Sequence, residues 1–137
     1  MEQKDKELLI KEISARLPYG VKLWTRFKDK KVPLSVYSID TKGWICFWGT
    51  DGHLDCLNVT DCRLYLRPMS SMTDEEKYEL YGVNGVLEID FEFEPYKMVH
   101  LLKSHNVIDW FNKHHFDYRG LIEKGLALVA SKDIYNG

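Results

Sequence analysis

The feature that most restricts the fold of this chain is a set of short alternating runs between Tyr19 and Leu66, each closed by a turn. In the first run, Val21, Leu23 and Thr25 alternate with a lysine, a tryptophan and an arginine. A period of two places successive side chains on opposite faces of a β-strand. The region therefore predicts four or five short strands that form a curled antiparallel meander or a small open barrel.

Turn residues set the ends of these strands. Glycine provides the positive φ that tight hairpins need, so Asp40–Gly43 and Gly49–Gly52 are expected to be turns. The charged run Lys28–Lys31 is expected to be a third turn. The strands between the turns are predicted from Val21 to Phe27, Leu34 to Ile39, Trp44 to Trp48, His53 to Val59 and Arg63 to Leu66.

Apolar residues at helical spacing come before this region. Leu9, Ile13 and Leu17 recur with lysine and glutamate between them. This spacing predicts a helix from about residue 4 to Arg16 that ends before Pro18. One apolar face is expected to pack as a lid on the sheet.

A capping signature follows the strands. Thr73 and Glu76 match a capping box, which predicts a helix over Asp74–Tyr81 that ends at the next glycine. Ser70 and Ser71 come just before this cap. Hydroxyls and free N–H groups at the start of a helix can hold an anion, or the serines can serve the cap alone. Both interpretations stay open.

The remaining elements complete an α+β fold. Val86–Glu94 alternates apolar with acidic residues, as in an edge strand with an acidic solvent face. A helical turn or two is expected within Lys97–Ser104, and an amphipathic helix from Val107 to about Phe116. We expect one domain over residues 1–137: an N-terminal helix, an antiparallel β-meander or small open barrel, and a helical C-terminal half.

Composition narrows the class of protein. The formal net charge of −2 does not favour nucleic acid as a partner, although a local basic patch stays open. Cys46, Cys56 and Cys62 are an odd number without a secretory signal before them, which is typical of reduced thiols in a cytoplasmic protein. No apolar run reaches the length of a membrane span, so no membrane contact is expected.

Metal and cofactor sites are not predicted. His53, Cys56 and Cys62 lack the paired spacing of structural zinc sites. His114 and His115 are adjacent, so on a helix they would point about 100° apart and could not chelate one ion comfortably. Phosphate-binding glycine loops are absent from the sequence as well.

The segment Asp109–Leu128 holds the densest set of reactive side chains. A structural interpretation makes it an amphipathic helix followed by a turn, in which Asp117 and Arg119 tie down the backbone. A binding interpretation has its rings stack on a base or nucleotide next to Arg119. A catalytic interpretation uses His114 or His115 as a general acid or base, with Arg119 holding an anionic phosphodiester.

Three motifs occur together along the chain: Ala15–Val21 (ARLPYGV), Tyr65–Thr73 (YLRPMSSMT) and Asp109–Ile122 (DWFNKHHFDYRGLI). As a set they resemble a family of short proteins, without an assigned activity, from Bacteroides-type gut bacteria and their phages and prophages. The resemblance implies an intracellular accessory protein of a phage or mobile element. It transfers no catalytic residue.

The leading hypothesis is a non-enzymatic binding module for a host macromolecule or a small ligand, with a nucleotide among the candidates. One alternative is a nucleotide- or phosphodiester-processing enzyme that uses His114 or His115 with Arg119. Another is an assembly protein with a self-association patch built from Trp24, Trp44 and Trp48. The candidate surface joins the connection after the strands to the turn after the last helix, which are expected to adjoin, and comprises Arg67, Ser70, Ser71, Trp110, His114, His115, Asp117, Tyr118 and Arg119.

Overall fold

The first helix, α1 (Gln3–Arg16), packs across one face of a β-sheet. The computed structural model describes residues 1–27, 34–48, 52–84 and 105–135. The strands that follow α1 are β1 (Lys22–Thr25), β2 (Leu34–Ile39), β3 (Trp44–Trp48), β4 (Leu54–Asn58) and β5 (Cys62–Leu66). After them come α2 (Asp74–Asn84), α3 (His105–Lys113), β6 (Ala127–Val129) and the single-turn helix α4 (Lys132–Tyr135).

The sheet has the order β4-β3-β2-β1-β5-β6. All neighbouring strands are antiparallel except β5 and β6, which run parallel. Strands β1 to β4 form the predicted meander, and β5 then returns to the free side of β1. Within the described ranges the sheet is not closed on itself. The α+β class is confirmed, and the sheet is mixed because of β6.

The main core lies between α1 and the sheet. Leu9 and Ile13 of α1 are fully buried against Leu23, Ile45 and Leu64 from three different strands. Burying side chains of this size contributes about 1.5–3 kcal/mol each. This packing is the lid that the helical spacing predicts.

Gly43 allows α1 to approach the sheet closely. Its φ is 87°, and a Cβ atom built there would lie 3.1 Å from Lys6 Cε and 3.3 Å from side-chain carbons of Ile10 and Val59. The position therefore needs glycine both for the turn conformation and for space.

A second, aromatic core forms between α2 and α3. Leu80 of α2 and Val107, Trp110 and Phe111 of α3 are buried together with Phe116. The rings of Trp110 and Phe116 are stacked with centroids 5.7 Å apart. This core holds α2 and α3 beside the end of β5.

Several predicted boundaries were wrong. Helix α2 continues through Gly82 to Asn84, because a helix that packs against α3 tolerates the roughly 1 kcal/mol cost of an internal glycine. Helix α3 ends at Lys113 instead of near Phe116, since His115 adopts a φ of 61° and leaves the helical conformation. Strand β1 ends at Thr25, the last residue paired with β5, and leaves Phe27 exposed.

Four predicted elements lie outside the described residues in whole or in large part. They are the turns at Lys28–Lys31 and Gly49–Gly52, the acidic strand Val86–Glu94 and the helical turn within Lys97–Ser104. In the part of the chain that the structure covers, no helix combines the length and apolar character needed to cross a bilayer.

Candidate functional site

The connection after β5 lies directly beside the turn after α3. The N–H of Arg67 donates to the carbonyl of His115 at 2.8 Å, and the N–H of Asp117 donates to the carbonyl of Arg67 at 2.9 Å. Arg67 and Phe116 thereby form a parallel β-bridge. The prediction that these two segments adjoin is confirmed. Arg67 and His115 are 48 positions apart in the sequence.

Arg67 is held rigidly by its neighbours. Its two terminal nitrogens donate to the two carboxylate oxygens of Glu76, both at 2.7 Å. Its guanidinium also lies over the ring of Phe116, 4.2 Å from the centroid. A bidentate, stacked arginine has a fixed orientation, so its remaining N–H groups are presented in one geometry.

The predicted capping box at the start of α2 is confirmed and supports this pair. Glu76 accepts a hydrogen bond from the N–H of Thr73 at 3.0 Å, and the Thr73 hydroxyl accepts one from the N–H of Glu76 at 3.2 Å. Burial alone would raise the pKa of Glu76, but the hydrogen bonds from Arg67 and Thr73 outweigh it and lower the pKa to about 2. Glu76 is therefore a carboxylate at neutral pH.

His115 and Tyr135 form a stacked pair. Their ring centroids are 3.6 Å apart and the planes differ by 6°. The Tyr135 hydroxyl donates to the carbonyl of Tyr65 at 2.7 Å and accepts from the N–H of Lys22 at 3.2 Å. These bonds fix α4 against the ends of β1 and β5, and they fix the imidazole beneath the phenol ring.

The imidazole of His115 is neutral at physiological pH. Burial lowers its pKa first, and the nearby Arg16 guanidinium lowers it further, to about 4. His115 is only 4% exposed, and its Nδ1 has no hydrogen-bond partner among the described residues. The ring therefore acts here as a flat, uncharged surface with one unsatisfied nitrogen.

A cleft of about 600 Å³ opens between the start of α2, the end of α3 and α4. Its lining combines a guanidinium, an amine, a carboxylate, hydroxyls and the stacked pair. The lining residues are Tyr19, Arg67, Ser71, Thr73, Glu76, Lys113, His114, His115, Ala130, Ser131 and Tyr135.

A buried ion cluster lies behind the cleft. Glu12 is 1% exposed and binds two arginines: one carboxylate oxygen contacts fully buried Arg16, and the other lies 2.6 Å from Nε of Arg119. Arg16 also donates to the carbonyl of Phe116 at 2.8 Å. Two guanidinium groups share one carboxylate, so the cluster carries an excess positive charge.

The positive charge of this cluster acts on side chains that line the cleft. The guanidinium of Arg16 contributes to lowering the pKa of His115, and it also acts on Tyr135, whose pKa is raised mainly by burial. Among the lining side chains, Arg67 and Lys113 are cationic and Glu76 is anionic. With His115 uncharged, the lining and the cluster behind it both favour negative charge in the cleft.

His114 lies at the edge of the cleft against the ring of Trp110, with centroids 4.3 Å apart. Its Nδ1 is 3.7 Å from a carboxylate oxygen of Glu76, and its Nε2 is 3.5 Å from one of Glu79. These separations are longer than a well-formed hydrogen bond. The imidazole is 24% exposed and faces two carboxylates without a short contact to either.

The structure brings four of the predicted surface residues into the cleft: Arg67, Ser71, His114 and His115. Ser70 is exposed but does not line it. Arg119 does not line the cleft, and its guanidinium forms an ion pair with buried Glu12.

Three predicted surface residues lie in the interior instead. Trp110 and Tyr118 belong to the aromatic core, where the Tyr118 hydroxyl donates to the side-chain oxygen of Asn112 at 2.9 Å. Asp117 is buried and accepts from the N–H groups of Leu121 and Ile122 at 2.7 and 3.0 Å. Placing them on the surface was wrong, because their polar atoms are satisfied within the turn and the core.

Sequence reasoning missed seven lining residues. Thr73 and Glu76 were recognised only as a capping box, and Lys113 and Tyr19 lie inside the quoted motifs, so a signal for these four was present. Ala130, Ser131 and Tyr135 lie in or beside the short elements β6 and α4, which no periodicity marks. The parallel pairing of β6 with β5 brings them to the site.

Comparison of the chain with protein-family models, with curated proteins and with solved structures finds no match.

Proposed function

We propose that this protein is a non-enzymatic binding module whose cleft holds a small ligand with an anionic group and a flat ring. Nucleoside monophosphates are the class that we would test first. The observation that carries the proposal is the stacked His115–Tyr135 pair, which lies in a cleft whose cationic side chains outnumber its carboxylates. The volume of about 600 Å³ is typical of sites for ligands of this size.

The anionic end of the ligand is assigned to the side of the cleft formed by Lys113 and Arg67. Lys113 is exposed, and its amine offers a mobile point charge at the end of α3. The hydroxyl of Ser131 lines the same cleft and can donate to a phosphate oxygen, whereas the Ser71 hydroxyl donates to the carbonyl of Pro68 at 2.6 Å. The excess positive charge of the buried ion cluster strengthens this preference, because charges interact more strongly away from water.

The ring of the ligand is assigned to the aromatic side of the cleft. Tyr19 and Tyr135 both line it, and Tyr135 is already ordered by its stacking on His115. A base that stacks on an ordered ring loses little side-chain entropy, and each such contact is worth roughly 1–3 kcal/mol. The unsatisfied Nδ1 of His115 is an additional polar atom next to this surface.

Calorimetric titration with the four ribonucleoside 5′-monophosphates tests the proposal, with the matching nucleosides and inorganic phosphate as partial ligands. We expect at least one monophosphate to bind more tightly than its nucleoside and than phosphate. Lys113→Ala should weaken binding by roughly fivefold, the usual value of one exposed charge contact. Lys124→Ala, at an exposed lysine that does not line the cleft, should leave the affinity for the monophosphate unchanged. Absence of binding for the whole panel, or equal affinities for the two variants, would contradict the proposal.

A second candidate function is phosphodiester hydrolysis, favoured by the position of His114 between Glu76 and Glu79 at the edge of the cleft. Arg119, which this candidate needs as an anion clamp, is bound to Glu12 instead. Turnover of a chromogenic phosphodiester that is lost in His114→Gln but kept in His53→Gln would establish this candidate. No turnover in the wild-type protein would dismiss it.

A third candidate is an assembly role, favoured by Trp44 and Trp48, which are 51% and 53% exposed. The ring of Tyr37 packs against Trp48 on the same face, so the apolar area is continuous. Sedimentation velocity on the wild type and on Trp44→Ser with Trp48→Ser tests it. A concentration-dependent oligomer that the double variant loses would support assembly, and a monomer at all concentrations would exclude it.

The biological setting is also a proposal. The three motifs that resemble proteins of Bacteroides-type bacteria and their phages lead us to propose a phage or prophage accessory protein that acts in the host cytoplasm, on a host macromolecule or a small ligand. The Tyr65–Thr73 and Asp109–Ile122 motifs contain Arg67, Ser71, Lys113, His114 and His115, all of which line the cleft. Tyr19 of the Ala15–Val21 motif lines it as well, so all three motifs contribute to the candidate site.

A further inference from the structure

Cys46 of β3 and Cys56 of β4 lie directly opposite each other on neighbouring antiparallel strands. Their Sγ atoms are 2.7 Å apart, in contact as free thiols. Cys56 is exposed and Cys46 is half-buried, so solvent reaches the pair. Two thiols at this separation on a solvent-facing surface are placed for a reaction with each other.

The register of the strands fits a cross-strand bond. The N–H of Val59 donates to the carbonyl of Gly43 at 2.8 Å, which makes these two residues a hydrogen-bonded pair. Hydrogen-bonded and non-hydrogen-bonded pairs alternate along an antiparallel ladder, so Cys46 and Cys56 form a non-hydrogen-bonded pair. In such pairs the Cα atoms are about 4.5 Å apart, which is within the range that a disulfide spans.

Cys62 differs from this pair. It is 1% exposed in the main core, and its Sγ donates to the carbonyl of Asn58 at 3.5 Å. Burial raises its pKa to about 11, so it holds its proton at neutral pH. Because Cys62 is buried while solvent reaches Cys46 and Cys56, thiol chemistry is expected at the Cys46–Cys56 pair.

We propose that Cys46 and Cys56 form a reversible disulfide when the protein meets a small-molecule disulfide such as oxidised glutathione. The thiolate of exposed Cys56 attacks one sulfur of the oxidant, the oxidant's S–S bond breaks, and one glutathione thiolate leaves. The thiolate of Cys46 then attacks the Cys56 sulfur of the mixed disulfide and displaces the second glutathione. Two protein thiols are oxidised, one glutathione disulfide is reduced to two thiols, and the two protons pass to the leaving thiolates.

The bond would lie within the exposed aromatic face formed by Tyr37, Trp44, Trp48 and Leu54. Cys46 is between Trp44 and Trp48 on β3, and Leu54 is the cross-strand partner of Trp48. A disulfide at this position would link β3 to β4 at the edge of the sheet. The exposed aromatic face would then differ between the reduced and the oxidised protein. The inference is independent of the proposed ligand cleft.

The test is incubation of the native protein in glutathione buffers of graded redox ratio, followed by acid quenching, intact-mass measurement and peptide mapping. We expect the wild type to lose two hydrogen atoms of mass and to show a peptide that links Cys46 to Cys56. Dithiothreitol should reverse both changes. Cys46→Ser should instead accumulate the mixed disulfide at Cys56, roughly tenfold above its level in the wild type, because the adjacent attacking thiol is missing.

Cys62→Ser is the matched control, and it should form the disulfide as readily as the wild type. Circular dichroism of each variant before oxidation shows that it is folded. Three results would overturn the proposal: a wild type that stays fully reduced, a stable glutathione adduct on the wild type, or a disulfide that maps to Cys62.

Discussion

The imidazole of His115 lies flat against the ring of Tyr135, with 3.6 Å between their centroids. The two residues come from different segments: His115 lies in the turn after α3 with a φ of 61°, and Tyr135 is the last residue of α4. A positive φ is uncommon for histidine and persists only where the surroundings hold it. The stacked pair therefore depends on the backbone conformation of the turn and on the position of α4, and both of its rings line the cleft.

Substitutions of Tyr135 should lower the free energy of unfolding in two steps, first through loss of the hydroxyl and then through loss of the stacked ring. Tyr135→Phe keeps the stacking and loses the hydrogen bond to the Tyr65 carbonyl, so we expect a loss of about 1 kcal/mol in the free energy of unfolding. Tyr135→Leu also loses the stacking, and a total loss of roughly 2–3 kcal/mol is expected. Urea unfolding followed by circular dichroism measures both values. Equal stabilities for the two variants would show that the stacking contributes nothing.

The stability of the protein should fall in acid because of His115. Its pKa in the folded protein is about 4, below its ordinary value of 6.5, so the unfolded chain takes up the proton first. The stabilisation is complete above pH 6.5 and is lost as the pH falls towards 4, with a total effect of about 3 kcal/mol. His115→Asn tolerates a positive φ but does not titrate. Urea unfolding at several pH values should show a shallower slope for this variant, and parallel curves would refute the assignment.

Substitution of Glu76 should lower the free energy of unfolding more than substitution of its neighbour Glu75. Glu76→Gln removes the charge that two nitrogens of Arg67 share, and a loss of 1–3 kcal/mol in the free energy of unfolding is expected, about the cost of leaving a partner unsatisfied. Glu75→Gln changes an exposed residue in the same helical turn and should stay within about 0.5 kcal/mol of the wild type. Thermal unfolding of the two variants side by side provides the comparison. A similar effect of both would mean that the Arg67 pair does not stabilise the site.

The buried ion cluster should be intolerant of a missing carboxylate. Glu12→Gln leaves fully buried Arg16 without its counter-ion and also removes the partner of Arg119, which is 34% exposed; breaking a buried pair typically costs roughly 3–5 kcal/mol. Glu7→Gln, on the exposed side of the same helix, is the control and should be nearly neutral. Chemical unfolding measures the difference. A Glu12→Gln protein as stable as the Glu7→Gln control would contradict the assignment of Glu12 as the counter-ion of the two arginines.

Local sequence patterns predicted the sheet well where they were long enough. The bounds of β2 and β3 agree with the runs Leu34–Ile39 and Trp44–Trp48, because strand-forming residues between turn signals define where a strand begins and ends. The capping box of Thr73 and Glu76 was equally readable, since it is a local hydrogen-bond pattern. Strand β6 shows the opposite case: it has three residues, and only its parallel partner β5 defines it.

The candidate site was predictable only in part. The adjoining of Arg67 and His115 followed from expecting polar groups at element ends to meet, and the backbone bonds confirm it. Trp110 and Tyr118 were misplaced because aromatic residues serve cores and surfaces alike, and sequence does not record which face of α3 packs against α2. Tyr135 could not be found at all, since its role depends on a one-turn helix docked by tertiary contacts.

The most direct test of the account is a nuclear magnetic resonance titration of ¹⁵N-labelled protein with the monophosphate that binds best by calorimetry. We expect the largest amide shift changes at Arg67, Ser71, Lys113, His115 and Ser131, which line the cleft. The amides of β3 and β4, on the aromatic face, should stay unchanged. Shift changes confined to β3 and β4, or no saturable change anywhere, would contradict the assignment of the cleft as the binding site.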